Sequence, residues 1–228
     1  MKIVVLKFGG TSVGSVTKIK KVAEIIANYR KKNLNVIVVS SAMSGVTNDL
    51  ISKSQKICQN FSDSEHDVLV SSGEQVACSL IAGRLIHKGF KSRSWLAWQI
   101  PILTDGPHKH ARINNLYKNK LIKYLKEGGI PIVAGFQGIN SSGRVTTIGR
   151  GGSDASAIVL AKFFKAHRCI IYTDVEGVYT TDPNKLKKAK KIKVISYEEM
   201  LEMASLGAKV MQPHSIQDAR LNRIDIEV

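Results

Sequence analysis

The sequence predicts an α/β fold, a layered and mostly parallel sheet with helices packed on it. Two observations carry that reading. Short apolar runs alternate with longer segments of helical periodicity along all 228 residues, the pattern that repeated βα units produce. The 43% of hydrophobic residues is enough to bury a substantial core, and no internal repeat, low-complexity stretch or Pro/Gly-rich linker divides it. Residues 1–228 therefore read as a single domain.

The strands are expected at residues 3–8, 36–40, 100–104, 130–136, 145–148 and 169–173. Residues 224–228 alternate apolar and acidic side chains and read as the opening of one more. Between the first two strands, Ile19, Val22, Ile26 and Tyr29 recur at helical spacing and give one buried face. Similar periodicity predicts helices over about 66–88, 110–127, 154–166 and 206–221. Ser196 with Glu199 forms a capping box that opens a further helix through Met200.

Charge and cysteine content narrow the function classes. Thirty-four Lys and Arg against 18 Asp and Glu leave a net charge of +16, which suits anionic partners. The densest basic run, Lys185, Lys187, Lys188, Lys190, Lys191 and Lys193, has no aromatic interleaving for base stacking. It reads as a solvated face that helps attract anionic substrates, and no nucleic-acid partner is expected. No apolar run approaches the ~18 residues needed to span a bilayer, so no membrane partner is expected either. The opening strand is too short and too soon charged for a secretory signal. Cys58, Cys78 and Cys169 are widely spaced, with no metal-ligand pattern. They are expected as small buried apolar residues with reduced thiols, in a cytoplasmic protein.

Two glycine-rich turns are the strongest local signals. Lys7-Phe8-Gly9-Gly10-Thr11-Ser12 follows the first strand directly. Paired glycines let backbone approach a ligand and aim N–H groups at anionic oxygens, and a lysine there adds a point charge. The spacing is not that of a Walker A loop, and taken alone such a turn is also an ordinary strand-to-loop connection. Gly149-Arg150-Gly151-Gly152-Ser153-Asp154 precedes an Ala-rich helix, whose N-terminus favours an anion. Arg150 can grip a carboxylate or phosphate with two prongs. The plainer alternative is that Ser153 or Asp154 only caps the helix. Two such turns in one chain fit a pair of anionic substrates.

These segments resemble the aspartate kinases of the amino-acid kinase superfamily. So do Val39-Ser40-Ser41-Ala42-Met43-Ser44-Gly45-Val46-Thr47, Ser71-Ser72-Gly73-Glu74 and Tyr172-Thr173-Asp174-Val175-Glu176-Gly177-Val178-Tyr179-Thr180-Thr181-Asp182-Pro183. The stretch from Glu199 to Val210 completes the set, and the matches run in family order over essentially the whole chain. The resemblance implies a three-layer α/β/α sandwich around a mainly parallel sheet of about eight strands. It implies transfer of the γ-phosphoryl group of ATP, with Mg²⁺, to the side-chain carboxylate of L-aspartate. It also implies C-terminal ACT regulatory domains, expected to be absent from this chain, and a homodimer in the full-length protein.

Site residues follow from the same resemblance. Lys7 bridges the phosphates and Asp154 orients it. Phe8, Gly9 and Gly10 join the nucleotide site, Gly9 and Gly10 as backbone N–H donors. Thr173, Asp174, Tyr179, Asp182, Lys185, Lys209 and Val210 line the rest of that site. Arg150 takes the α-carboxylate of aspartate and Glu74 its ammonium, with Thr47 and Ser153 adding hydrogen bonds. The residues Ser71 to Glu74 also match a capping box, which is the competing reading of Glu74. An aspartate side chain, with a reference pKa of ~3.9, is already ionised at neutral pH, so no general base is required. The metal is expected on phosphate oxygens rather than in a protein cage. One departure from the family pattern is Asn184 after Asp182-Pro183, where arginine is common. Lys185 then offers a flexible point charge in place of a fixed fork. The competing readings are an acetylglutamate, glutamate or nucleoside monophosphate kinase, a basic nucleic-acid-binding protein, and an inactive interaction domain.

Overall fold

Strand β1 (Ile3–Phe8) is buried on both faces along its whole length, as a central strand of a parallel sheet must be. It pairs in parallel with β2 (Asn35–Ser40) on one side and β9 (Arg168–Tyr172) on the other. β6 (Ile130–Ala134) and β3 (Ser92–Trp95) continue the sheet beyond β2, and β10 (Ile226–Glu227) extends it beyond β9. The order is β10-β9-β1-β2-β6-β3, parallel throughout. A second sheet, β5 (Arg112–Leu116), β4 (Ile102–Asp105), β7 (Gln137–Ile139) and β8 (Val145–Thr147), is mixed. The structure is a computed structural model that describes residues 2–149, 151–183, 185–208 and 210–228.

Strand alternation separates two cores. Val4, Leu6 and Phe8 point to the face covered by α1 (Val16–Lys31) and α3 (Asp63–His87). Ile3 and Val5 point to the face covered by α4 (Asn119–Lys126) and α5 (Gly152–Phe163). A third cluster joins α5 to α6 (Tyr197–Ser205) and α7 (Pro213–Asn222). The expected α/β/α layering is therefore present, with the strands divided between two sheets. α1 is capped by Ser15 and carries Arg30 and Lys31 in its last turn, where cations suit the helix dipole. The capping box of Ser196 and Glu199 is formed.

α3 links the sheets. Its C-terminal half packs under the parallel sheet through Ala77, Ile81 and Leu85. Its N-terminal half reaches the second sheet, where Asp63 pairs with Lys109 and Glu65 with Arg144.

Several expectations need correction. The helix predicted over 110–127 is a strand, β5, followed by the short α4. Asn114 and Asn115 are poor helix formers, and pairing with β4 decides the conformation. The helix predicted over 206–221 begins only at Pro213, its first residue. Gly207, at φ +109°, ends α6 and separates the two. Cys78 and Cys169 are buried as expected, but Cys58 is exposed. No described helix is long and apolar enough to cross a membrane.

Candidate active site

Phosphate-handling chemistry is to be sought at the carboxyl ends of the parallel strands, where loops part and leave a crevice. A cavity of about 610 Å³ lies there. Lys7, near the end of β1, Thr47 on α2 (Val46–Ile57), Glu74 on α3, and Ser153 and Asp154 on α5 all line it. The structure thus brings together residues that the sequence places far apart.

Lys7 and Asp154 are both nearly buried, and Lys7 Nζ stands 2.7 Å from Asp154 Oδ1. The pair is held by charge, since Asp154 Oδ1 accepts no well-directed hydrogen bond. The glycines beside it have separable tasks. The N–H of Gly9 donates to the carbonyl of Tyr172 at 3.0 Å, so it ties β1 to β9 and is already engaged. A Cβ at Gly9 would sit 3.3 Å from Lys7 Nζ, so this glycine leaves room for the ammonium group. A Cβ at Gly10 would lie 2.9 Å from the carbonyl oxygen of Ala42, closer than real contacts allow. Gly10 therefore admits the loop that follows β2, whose Ser44 N–H donates to the Gly10 carbonyl at 3.1 Å.

Glu74 is 3% exposed. Its Oε1 accepts the Ala42 N–H at 3.0 Å, while its Oε2 is buried without a partner. Burial pushes the carboxyl up to about 8, against the opposing pull of backbone N–H groups, that of Ala42 first. Glu74 lies in the interior of α3, so the capping-box reading of residues 71–74 does not apply. An unpartnered buried acceptor in a cavity is suited to a cationic or donor group of a ligand.

The turn before α5 leaves its helix without a side-chain cap, because the N-cap residue is Gly151 in the left-handed region. A side chain at Gly151 would strike Gln212 at 2.7 Å, so α7 packs onto the turn. Phe136 lines the same cavity with φ +67°, rare for an aromatic residue. Its N–H donates to Ser156 Oγ at 3.1 Å, and its ring lies 2.9 Å from where a Cβ on Gly152 would be. Sequence reasoning missed Phe136, along with the rim formed by His66, Lys109 and His110. Only the neighbouring Gly135 hinted at an unusual backbone there.

The residues expected around a nucleotide are placed differently. Phe8 turns into the core and stacks on Tyr172 at 4.7 Å. Phe8, Thr173 and Asp174 together line an adjacent cavity of about 390 Å³, and Thr173 Oγ1 donates to Asp174 Oδ1 at 3.0 Å. Tyr179 forms an antiparallel bridge with Lys191. The carbonyl of Asp182 accepts the N–H of Lys185 at 3.0 Å. Val210 packs on the cluster around α6 and α7. Arg150, Asn184 and Lys209 lie outside the described residues. No group of three or more metal-ligating side chains occurs among the described residues.

A parallel sheet with a crevice at its carboxyl ends, lined by a buried lysine–aspartate pair, is an arrangement suited to binding anionic ligands. The chain belongs to the amino acid kinase family, whose model matches residues 2–228. It is 49% identical over 231 residues to an aspartokinase of Rickettsia felis, a match that covers all of this chain and 58% of that protein. The crystal structure of an aspartate kinase from Synechocystis superposes with a TM-score of 0.86 at 42% identity, over 98% of this chain and 37% of that one. Aspartokinase III of E. coli, in complex with aspartate and ADP, gives a TM-score of 0.87 at 30% identity, over 99% of this chain and 61% of that one. The chain thus spans little more than half the length of the Rickettsia felis protein.

Proposed function

We propose that this chain is the catalytic domain of an aspartate kinase, moving the γ-phosphoryl group of ATP to the β-carboxylate of L-aspartate. The product is 4-phospho-L-aspartate, which opens lysine, threonine and methionine biosynthesis. The observation that carries the reading is the cavity itself, lined by the Lys7–Asp154 pair and by Glu74, whose buried Oε2 has no partner. The E. coli relative solved with aspartate and ADP supports the choice of substrates.

Catalysis here is positioning and neutralisation of charge. The acceptor carboxylate attacks phosphorus as an anion, and the bond from phosphorus to the β–γ bridging oxygen breaks as ADP leaves. Lys7 holds the charge on the transferring group, and Asp154 keeps Lys7 aimed. One unit charge at ~4 Å contributes about 4 kcal/mol at an effective dielectric of ~20, or roughly a thousandfold in rate. Glu74 takes the ammonium group of the acceptor, Arg150 its α-carboxylate, and Thr47 and Ser153 complete the site. Gly10 is the backbone donor on the phosphate side, and Thr173, Asp174, Tyr179, Asp182, Lys185, Lys209 and Val210 flank the nucleotide. Of the carboxylates lining the cavity one faces Lys7 and the other is deeply buried, so Mg²⁺ fits on phosphate oxygens and water. When bound it neutralises phosphate charge.

An N-acetylated acceptor offers Glu74 only a neutral amide N–H in place of an ammonium, which favours aspartate over acetylglutamate. The deciding experiment measures ADP release with and without L-aspartate, then with glutamate and N-acetylglutamate at fixed ATP. ADP release that does not depend on aspartate would refute the reading.

A further inference from the structure

Asp67 is fully buried, carries no role in the chemistry above, and gathers an unusual set of donors. Its Oδ2 accepts His108 Nδ1–H at 2.8 Å and the backbone N–H groups of Lys109 and Thr147 at 3.0 Å each. Its Oδ1 accepts the Thr147 hydroxyl at 2.6 Å and a longer share of the Lys109 N–H at 3.2 Å. His66 Nδ1 stands 3.7 Å from Oδ1. Asp67 lies seven residues before Glu74 on α3, two helical turns away and so on nearly the same side of the helix. One helix thereby carries both carboxylates on one side, Glu74 lining the cavity and Asp67 buried behind residues that line it.

We propose that Asp67 is a positioning residue that builds the acceptor wall of the cavity by locking the β4–β5 loop onto the end of β8. The two segments it joins both line the cavity, through Lys109, His110 and Thr147. The lock is continued by Ala111 N–H, which donates to the Thr147 carbonyl at 3.0 Å. It then bears on the glycine turn. A Cβ at Gly149 would lie 2.9 Å from the Lys109 carbonyl and 3.3 Å from the His110 ring. Gly149 in turn accepts the Gly152 N–H at 3.0 Å, at the start of the helix that carries Ser153 and Asp154. A fully buried carboxylate held by backbone N–H, hydroxyl and imidazole donors is strongly tied to their geometry. The phosphate side, around Gly9 and Gly10, makes no hydrogen bond to Asp67.

The inference rests on the proposed acceptor, and its test has one arm that does not. In Asp67→Ala, hydrogen exchange should quicken at residues 108–111 and 147–152 while β1 and α1 keep their protection. In the same variant the KM for L-aspartate should rise about 10- to 100-fold, with the KM for ATP within about 3-fold. Asp67→Asn can place its oxygen at the Oδ2 position and donate to the Thr147 hydroxyl, so it should recover the aspartate KM to within about 5-fold. Should Asp67→Ala fail to fold, Thr147→Val removes the 2.6 Å bond alone and should quicken exchange in the same two segments. Protection lost evenly over the chain, equal rises in both KM values, or an Asn variant as impaired as the Ala variant would overturn the proposal. If the wild-type chain forms no ADP with L-aspartate, the functional reading fails and the exchange arm alone decides.

Discussion

Glu74→Gln should stabilise the substrate-free protein at alkaline pH far more than at acid pH. The Glu74 carboxyl has an ordinary value of 4.5, and burial in the folded chain raises it to about 8. Between those values the unfolded chain has released this proton and the folded chain still holds it. Raising the pH therefore favours unfolding across that window, and the loss levels off above about 8. At 1.36 kcal/mol per pH unit, a rise of about 3.5 corresponds to about 5 kcal/mol, of which about 4 kcal/mol falls between pH 5 and pH 9. Glutamine cannot ionise, and its Oε1 can still accept the Ala42 N–H. The pH-independent part of the difference between the proteins is the cost of one unpartnered group in either, so the pH-dependent part isolates the charge. Urea unfolding of both proteins at pH 5, 7 and 9 reads it directly. In thermal melts the gap should widen by about 8–16 °C over the same range, taking about 2–4 °C per kcal/mol for a chain of this size. Saturating L-aspartate should narrow the gap, because its ammonium favours the Glu74 anion, and the substitution should raise the KM for aspartate far more than that for ATP. An equal stability gap at pH 5 and pH 9 would refute the claim that Glu74 is held protonated by burial.

Three other perturbations have definite expectations. Lys7→Ala should lower kcat by about 10²–10⁴ while the circular dichroism spectrum is unchanged, and near-normal turnover would remove Lys7 from the chemistry. Gly10→Ala forces a methyl group to within 2.9 Å of the Ala42 carbonyl. It should lower kcat/KM by about 10-fold or more, because the loop it displaces also meets Glu74. Lys185→Ala removes an exposed point charge and should weaken ATP binding by about 2- to 5-fold in calorimetry, an effect that fades in high salt.

The parallel sheet was the most legible part of the chain, because strands buried on both faces are written as unbroken apolar runs. Residues 3–8 and 130–134 need no partner to be recognised. Edge and amphipathic elements were not legible for the opposite reason. β3 reads Ser-Arg-Ser-Trp with one exposed and one half-buried position, and α2 buries only Ser54 among its twelve residues, so neither leaves an apolar stripe. The site showed the same division. Lys7, Ser153 and Asp154 stand in glycine-rich turns whose residue types suit anions, whereas Glu74 was assigned by the family resemblance alone. Phe136 and Asp67 belong to the crevice through backbone conformation and long-range hydrogen bonds, which no local pattern encodes. The N–H of Gly9 is a subtler case, since only the pairing with β9 reveals that it is already used.

The division of strands between two sheets separates the tasks of the crevice. The larger sheet supplies Lys7 and the glycines beside it, while the smaller one contributes Thr147 and, through its connecting loop, Lys109 and His110. On the proposed reading, rebuilding those shorter strands should retune which acid is accepted while leaving the Lys7 side of the crevice undisturbed. A library randomised only in the β4–β5 connection would be a rational starting point for changing acceptor preference.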